Sequence, residues 1–124
     1  MTNIRVGMGY DVHQLKEGLP FLLGGVRLNH TKGIVAHSDG DIVFHAIADG
    51  MLGASGLGDI GHFFPDDDMQ YKDMDSSLIL SEVLNYLKEL SYYIVNIDIT
   101  IVLERPKLKL IIPQIKKSIS NSLK

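Results

Sequence analysis

Residues 4–13 alternate between two kinds of side chain, and no other stretch of the chain constrains the fold as strongly. The even positions are apolar and hold Ile4, Val6, Met8, Tyr10 and Val12, whereas the odd positions hold Arg5, Gly7, Gly9, Asp11 and His13. Since side chains at i and i+2 share one face of a strand, the alternation predicts a half-buried strand. Asp11 and His13 would then project side by side from a face that the preceding glycines leave open.

A carboxylate and an imidazole placed in this way are two of the three protein ligands that a catalytic zinc-type site needs, although a solvated strand end fits the same pair. The third ligand is predicted in residues 36–46, AHSDGDIVFHA. Their periodicity predicts a helix that begins at Ile42 and is capped by Ser38 or Asp39. Small residues form one stripe of this helix, at Ala46, Gly50 and Ala54. If the stripe packs across the open face of the strand, His45 completes an Asp–His–His site.

The neighbours of His45 on the helix offer a second layer of interactions. Asp41 and Asp49 lie four residues before and after it, on the same face. Either carboxylate could accept the second ring N–H of His45, as is common around metal ligands. Alternatively, His45 is a helix histidine that bonds to one of them and binds no metal. His37 precedes the helix N-terminus, where free backbone N–H groups favour an anion.

The remaining patterns predict a small domain of mixed secondary structure. A second strand over residues 19–30 turns at Gly24 and Gly25, and a second helix is capped by Asp75 or Ser76. Alternation over residues 95–103 predicts a further strand, and residues 111–123 predict a last helix. This order indicates an α+β fold with a single layer of mixed β-sheet covered by helices on one face. Residues 1–124 are expected to form a single domain.

Composition excludes several classes of function. The chain has no cysteine, so any metal must be held by histidines and carboxylates. The net charge is −9 over residues 1–104 and +6 over residues 105–124, but no aromatic residues are interleaved with the basic ones. We therefore expect no nucleic acid partner. There is no apolar run of the length that spans a bilayer, so no membrane partner is expected either.

Three further motifs each have an ordinary structural explanation beside a functional one. GLGDIG (residues 56–61) could surround a phosphate or simply end a helix, and FPDDD (64–68) is more typical of a surface turn than of a calcium loop. RPKLK (105–109) could hold a diphosphate or form an exposed turn. No nucleophile elbow is present, which argues against acyl-enzyme chemistry.

Taken together, the segments GYDVH (9–13), AHSDGDIVFHAIADGMLGASGLGDIGHFFPDDD (36–68) and NIDITIVLERPK (96–107) resemble the 2-C-methyl-D-erythritol 2,4-cyclodiphosphate synthase family. The resemblance is collinear from about Val6 to about Pro113. It implies a step of the non-mevalonate isoprenoid pathway. In that step the 2-phosphate of 4-diphosphocytidyl-2-C-methyl-D-erythritol 2-phosphate attacks the β-phosphate of the same molecule and expels CMP.

The resemblance also implies roles for individual residues. Asp11, His13 and His45 correspond to the zinc ligands, and Asp11 and His13 are also expected to contact substrate. His37 and Ser38 correspond to residues that touch substrate, with His37 as the expected catalytic residue. The methylerythritol part would be bound by Asp59, Ile60, Gly61, Phe64, Pro65, Asp66, Asp67 and Asp68. The cytidine diphosphate would be bound by Leu103, Glu104, Arg105, Pro106, Lys107, Leu108 and Lys109.

Further expectations follow from the family pattern. The family continues with another strand bearing a T-T-E-type motif and then a Gly-rich segment, which this chain lacks. That segment would complete a second site, for magnesium or manganese. The family forms homotrimers with active sites between subunits, and alternating faces such as residues 95–103 could line the interface. The resemblance implies a location in a bacterial cytoplasm or in the stroma of a plastid or apicoplast.

Two other functions fit part of the same pattern. A metal-dependent phosphohydrolase would use the Asp–His–His site to activate water. A non-catalytic nucleotide-binding module would fit if the chain truly ends at Lys124. The products formed from the substrate distinguish the first alternative from a cyclase, since a hydrolase releases open phosphates.

Overall fold

Four short strands and four α-helices are assigned within residues 3–65, 67–71 and 74–124, which are the residues that the computed structural model describes. The strands are β1 (Leu15–Glu17), β2 (Leu22–Leu23), β3 (Val26–Arg27) and β4 (Lys32–Ile34). The helices are α1 (Ile42–Ala54), α2 (Ile60–Phe63), α3 (Ser76–Glu89) and α4 (Ile112–Ser122), and a 3₁₀ turn covers Met69–Tyr71. β1 pairs antiparallel with β4, and β2 pairs antiparallel with β3. The prediction of a domain that mixes helices and strands is thus confirmed.

Helix α1 begins at a carboxylate that also holds the β2–β3 turn. Asp41 is the N-cap, and its Oδ1 accepts the backbone N–H groups of Val43 and Phe44 at 3.2 and 3.1 Å. The prediction of Ser38 or Asp39 as the cap was therefore wrong. The reason is tertiary, because Asp41 also accepts the N–H groups of Gly24 and Gly25 at 2.8 and 2.7 Å. Burial raises the pKa of Asp41 above its ordinary value, although the hydrogen bonds from Gly25, Phe44 and Gly24 oppose this shift.

The core lies between α1, α3 and the hairpin formed by β2 and β3. Helix α1 contributes Val43, Phe44, Ile47, Ala48, Met51 and Leu52, and helix α3 contributes Ile79, Leu80, Val83, Leu84 and Leu87. Helix α4 closes one side through Ile115 and Ile119. The predicted cap of α3 is confirmed as Asp75, whose carboxylate accepts the N–H of Ser77 at 2.8 Å. Burial of the apolar faces of α1 and α3 against each other, rather than intrinsic helix propensity, holds these helices together.

The first alternating stretch presents its glycine face to α1, as expected. A Cβ at Gly9 would lie 1.7 Å from the carbonyl oxygen of Ala46, and one at Gly7 would lie 1.9 Å from that of Gly50. The backbone of residues 7–9 therefore lies closer to the backbone of α1 than any residue other than glycine would allow. The opposite, apolar face is exposed in the single chain, with Met8 at 85% exposure.

The single mixed sheet is not found among the described residues, which contain two separate antiparallel pairs. Residues 3–14 and 93–103 belong to no strand, so both predicted strands need correction. Alternation determines which side chains share a face, but a strand also needs a neighbour that accepts its backbone hydrogen bonds. The described part of the chain offers no such neighbour to either segment. The short helix α2, which begins at the Asp59 cap within GLGDIG, was not predicted.

None of the helices in the described ranges is both long and apolar enough to cross a bilayer.

Candidate metal centre

Asp11, His13 and His45 converge on one point between the first alternating stretch and α1. Asp11 Oδ1 lies 3.2 Å from His13 Nδ1, and Asp11 Oδ2 lies 3.3 Å from His45 Nδ1. One ligand atom from each of the three residues lies within 4.8 Å of the other two. The alternation places Asp11 and His13 on one face, and the close backbone packing brings His45 opposite them. The predicted three-residue cluster is therefore present as a candidate metal site.

The atoms that meet here fit a bound divalent cation. Asp11 Oδ2 and His13 Nδ1 are both buried and form no hydrogen bond. Zinc bonds of about 2.0–2.2 Å in a tetrahedral site separate neighbouring ligand atoms by about 3.3–3.6 Å. Each imidazole taken separately lies at nearly that separation from Asp11, because His13 Nδ1 is 3.2 Å from Oδ1 and His45 Nδ1 is 3.3 Å from Oδ2. Two imidazoles and one carboxylate leave a fourth position for a ligand, which is typical of catalytic rather than structural zinc sites.

The second ring nitrogen of His45 faces hydroxyl groups instead of the predicted carboxylates. Its Nε2 lies 2.7 Å from Ser76 Oγ and 3.3 Å from Ser38 Oγ. Asp41 is occupied as the helix cap, and Asp49 Oδ1 accepts the N–H of Ile60 at 2.8 Å. The prediction that Asp41 or Asp49 accepts the His45 N–H was therefore wrong. Ser76 is 31 residues away in the chain, so no local pattern pointed to it.

Asp49 nevertheless lies beside the centre and connects it to α2. Burial raises the pKa of Asp49 above its ordinary value, and the nearby charges of Asp59 and Asp11 act in the same direction. The hydrogen bond from the Ile60 N–H and the charge of His45 act in the opposite direction. Asp49 thus fixes the start of α2 next to the candidate metal ligands.

A pocket of about 200 Å³ opens from the centre. It is lined by Asp11, His13, Ala36, His37, Ser38, His45, Asp49, Ile60, Gly61, Phe64 and Ile79. His37 is part-buried, and its Nε2 lies 3.3 Å from the carbonyl oxygen of Asp68. The structure therefore brings His37, Ser38, Ile60, Gly61 and Phe64 together with the three candidate ligands.

Other residues expected at the site lie outside this pocket. Asp59 is exposed and caps α2 by accepting the N–H of His62 at 3.0 Å. Pro65, Asp67 and Asp68 follow α2 without lining the pocket, and Asp66 lies outside the described residues. Residues 103–109 do not line it either. A divalent cation beside an imidazole and a hydroxyl suits an anionic, phosphorylated ligand, because these groups supply positive charge and hydrogen bonds.

The sequence matches the YgbB family over residues 4–124. It is 51% identical over 120 residues to the 2-C-methyl-D-erythritol 2,4-cyclodiphosphate synthase of Fusobacterium nucleatum, a match that covers 97% of this chain and 75% of that protein. It is 46% identical over 123 residues to the synthase of the same name from Neisseria gonorrhoeae, covering 99% of this chain and 77% of that protein.

Solved structures agree with the sequence comparison. A CDP-bound 2C-methyl-D-erythritol-2,4-cyclodiphosphate synthase superposes with a TM-score of 0.90 at 36% identity, covering 96% of this chain and 79% of the other. The CDP complex of IspF from Plasmodium falciparum superposes with a TM-score of 0.81 at 38% identity, covering 96% and 72%. The chain therefore belongs to the YgbB family, whose matched members are 2-C-methyl-D-erythritol 2,4-cyclodiphosphate synthases.

Proposed function

We propose that this chain catalyses the metal-dependent cyclisation of 4-diphosphocytidyl-2-C-methyl-D-erythritol 2-phosphate. An oxygen of the 2-phosphate bonds to the β-phosphorus, and the bond from that phosphorus to the oxygen bridging it to the α-phosphorus breaks. CMP leaves with the bridging oxygen, and the other product is the cyclic diphosphate. In this role the chain acts as a phosphorus–oxygen lyase of isoprenoid biosynthesis. Atoms and charge balance without a protein nucleophile.

The observation that carries the proposal is the cluster of Asp11, His13 and His45, in which Asp11 Oδ2 and His13 Nδ1 are buried without a hydrogen-bond partner. The cluster faces a pocket that is also lined by the polar side chains of His37, Ser38 and Asp49. We assign zinc to these three residues, because they supply the nitrogen and oxygen ligands that zinc binds. When bound, the cation supplies positive charge that offsets the repulsion between two phosphates and polarises their oxygens.

The pocket side chains would bind and orient the substrate. His37 and Ser38 stand at the same pocket as the ligands, where an imidazole N–H and a hydroxyl can donate to phosphate oxygens. We propose His37 as the residue that positions the attacking phosphate. We propose that the methylerythritol part lies against Ile60, Gly61 and Phe64, and that Asp59, Pro65, Asp67 and Asp68 also bind it. Asp66, which lies outside the described residues, is assigned the same role from the family resemblance alone. Holding the two phosphates in contact is the main contribution that such a site can make to the rate.

We propose that the active site is completed between subunits of a homotrimer. Residues 103–109, including Lys107, line no part of the pocket of their own chain, which supports the proposal that a neighbouring chain brings them to it. The exposed apolar stripe at Ile4, Val6, Met8, Tyr10 and Val12 supports association, because apolar patches of this kind mark interfaces. A second cation of the magnesium or manganese type would be held by a carboxylate on the further strand that the family has, and it would supply positive charge to the phosphates. The bacterial relatives favour a bacterial cytoplasm over a plastid or apicoplast stroma as its location.

The experiment is product analysis by ³¹P NMR of the zinc-loaded protein with its substrate and added magnesium. A cyclase converts the substrate into CMP and a cyclic diphosphate in equal amounts. A metal-dependent phosphohydrolase would instead yield open-chain phosphates, and a nucleotide-binding module would leave the substrate unchanged. His37→Ala is expected to lower the rate of CMP release by about 10²–10³-fold without loss of zinc, as found for single stabilising groups.

A further inference from the structure

A chain of three hydrogen-bonded side chains, in which His45 and Ser76 are buried and Asp39 is partly buried, continues from the candidate metal centre. His45 Nε2 lies 2.7 Å from Ser76 Oγ, and Ser76 Oγ in turn hydrogen-bonds to Asp39 Oδ1. Ser76 is completely buried at the first turn of α3. The backbone N–H of Ser76 also donates to Asp39 Oδ2 at 2.8 Å, which fixes the hydroxyl and the carboxylate in one geometry.

The hydrogen bonds in this chain can run in one direction only. The carboxylate of Asp39 accepts and does not donate, and the N–H of Asp41 also donates to it, at 3.1 Å. The Ser76 hydroxyl must therefore donate its single proton to Asp39. Its oxygen then has only lone pairs left for His45, so the nitrogen facing it must carry the hydrogen. His45 is thereby held as the Nε2–H tautomer, with the lone pair on Nδ1.

The lone pair on Nδ1 is the one that a metal needs. Nδ1 faces Asp11 Oδ2 at 3.3 Å, and that oxygen forms no hydrogen bond. Without the constraint at Nε2, a neutral imidazole beside a carboxylate would favour the other tautomer, with Nδ1–H directed at Asp11. A cation would then have to displace that proton before it could bind.

We infer that Ser76, oriented by Asp39, is a positioning residue that keeps the Nδ1 lone pair of His45 available for the metal. The inference deepens the proposed function and rests on its Asp11–His13–His45 site. Ser38 Oγ lies 3.3 Å from the same nitrogen and accepts the N–H of Gly40 at 3.3 Å, so it is the longer and weaker contact.

The first test is zinc affinity, measured by chelator competition in three serine variants. Ser76→Ala is expected to weaken zinc binding about 10–100-fold, the usual effect of losing a group that orients a metal-bound histidine. Ser77→Ala is the matched control, since Ser77 is the next residue of α3 and is exposed. Its affinity is expected to equal that of the unchanged protein. Ser38→Ala is expected to cost less than Ser76→Ala, and the reverse order would overturn the assignment.

The second test reads the tautomer directly, by ¹⁵N NMR of the histidine ring in mildly alkaline buffer without metal. The unchanged protein is expected to show His45 as Nε2–H, and Ser76→Ala is expected to shift it towards Nδ1–H. An Nδ1–H tautomer in the unchanged protein would overturn the inference even if Ser76→Ala fails to fold. Because this spectrum needs no zinc, it still decides the matter if zinc does not bind and the proposed function fails.

Discussion

His45 uses its two ring nitrogens for different purposes on opposite sides of the imidazole. Nδ1 faces Asp11 at 3.3 Å and Nε2 faces Ser76 at 2.7 Å, while only 9% of the side chain is exposed. A buried imidazole whose Nε2 is hydrogen-bonded to Ser76 has little freedom to rotate. His45 is therefore preorganised, and the binding of a metal would cost little side-chain conformational entropy at this residue.

At this scale we predict that His45→Ala lowers zinc affinity by more than about 100-fold, because a direct ligand matters more than a residue that orients one. Asp49→Asn is the control on the same helix and in the same pocket. The zinc affinity of Asp49→Asn is expected to change by less than about 3-fold, since Asp49 accepts a hydrogen bond from the Ile60 N–H and does not orient a ligand. Chelator competition measures both variants, and equal losses in the two would contradict the ligand assignment.

The three candidate ligands could be predicted from sequence, and their orienting hydroxyl could not. Alternation put Asp11 and His13 on one face, and the small residues of α1 indicated the helix that brings His45 to them. Both signals are local, because each depends on the spacing of side chains within one segment of the chain. Ser76 reaches His45 only through the packing of α3 on α1, and a single serine in a helix's first turn carries no sign of that contact.

At the scale of elements, the centre depends on the close approach of α1 to residues 3–14. Gly7 and Gly9 are both required, since a Cβ at either would lie less than 2 Å from a backbone carbonyl oxygen of α1. Any side chain between the two backbones would move Asp11 and His13 away from His45. The glycines therefore set the distance between the candidate metal ligands.

We predict that Gly9→Ala destabilises the fold by about 1–3 kcal/mol, as overpacking does, and also weakens zinc binding. Gly53→Ala, in α1, is the control, because a Cβ there meets nothing within 4 Å. It is expected to raise the free energy of unfolding by up to about 1 kcal/mol, through the better helix propensity of alanine. Urea denaturation of both variants provides the measurement, and a Gly9→Ala protein as stable as Gly53→Ala would refute the packing argument.

Asp41 joins the start of α1 to the β2–β3 turn, and a second prediction concerns this connection. In Asp41→Asn, the amide N–H₂ group replaces one of the two carboxylate oxygens. It then faces either the Gly25 N–H or the three backbone N–H groups that donate to Oδ1. This substitution should lower the free energy of unfolding by about 1–3 kcal/mol. Asp75→Asn, at the exposed cap of α3, keeps a good capping residue and should cost less than about 0.5 kcal/mol. Thermal and urea unfolding compare the two. Equal losses would mean that the contacts with Gly24 and Gly25 contribute nothing.

Helices were predicted better than strands, for a physical reason. A helix satisfies its backbone hydrogen bonds internally, so periodicity and caps identify it within one segment. The stretches at residues 4–13 and 95–103 have the alternation of strands but find no pairing partner in the described part of the chain. The pairs that do form, β1 with β4 and β2 with β3, are two or three residues long and too short for a reliable alternation signal.

At the scale of the whole molecule, the exposed apolar stripe is hard to reconcile with an isolated chain. Ile4, Val6, Met8, Tyr10 and Val12 are 68–88% exposed, and they share one face. This face lies on the reverse side of the segment that carries Asp11 and His13. An interface formed there would hold the metal ligands in place from behind.

We predict that the protein has three times the mass of one chain in solution, and that Met8→Lys reduces this mass by placing a charge in the interface. Leu78→Lys is the control, because Leu78 is 57% exposed on α3, away from the stripe. It should leave the mass unchanged. Size-exclusion chromatography with light scattering measures all three proteins, and a single-chain mass for the unchanged protein would contradict the proposed trimer.

The measurement that tests the metal centre most directly is zinc K-edge X-ray absorption on the zinc-loaded protein. The geometry predicts ligands at about 2.0–2.2 Å, with two imidazole nitrogens, carboxylate oxygen and no sulfur. His13→Ala should reduce the imidazole contribution by half. A spectrum without imidazole scattering, or one that His13→Ala and His45→Ala leave unchanged, would contradict the assignment of Asp11, His13 and His45 as the metal ligands.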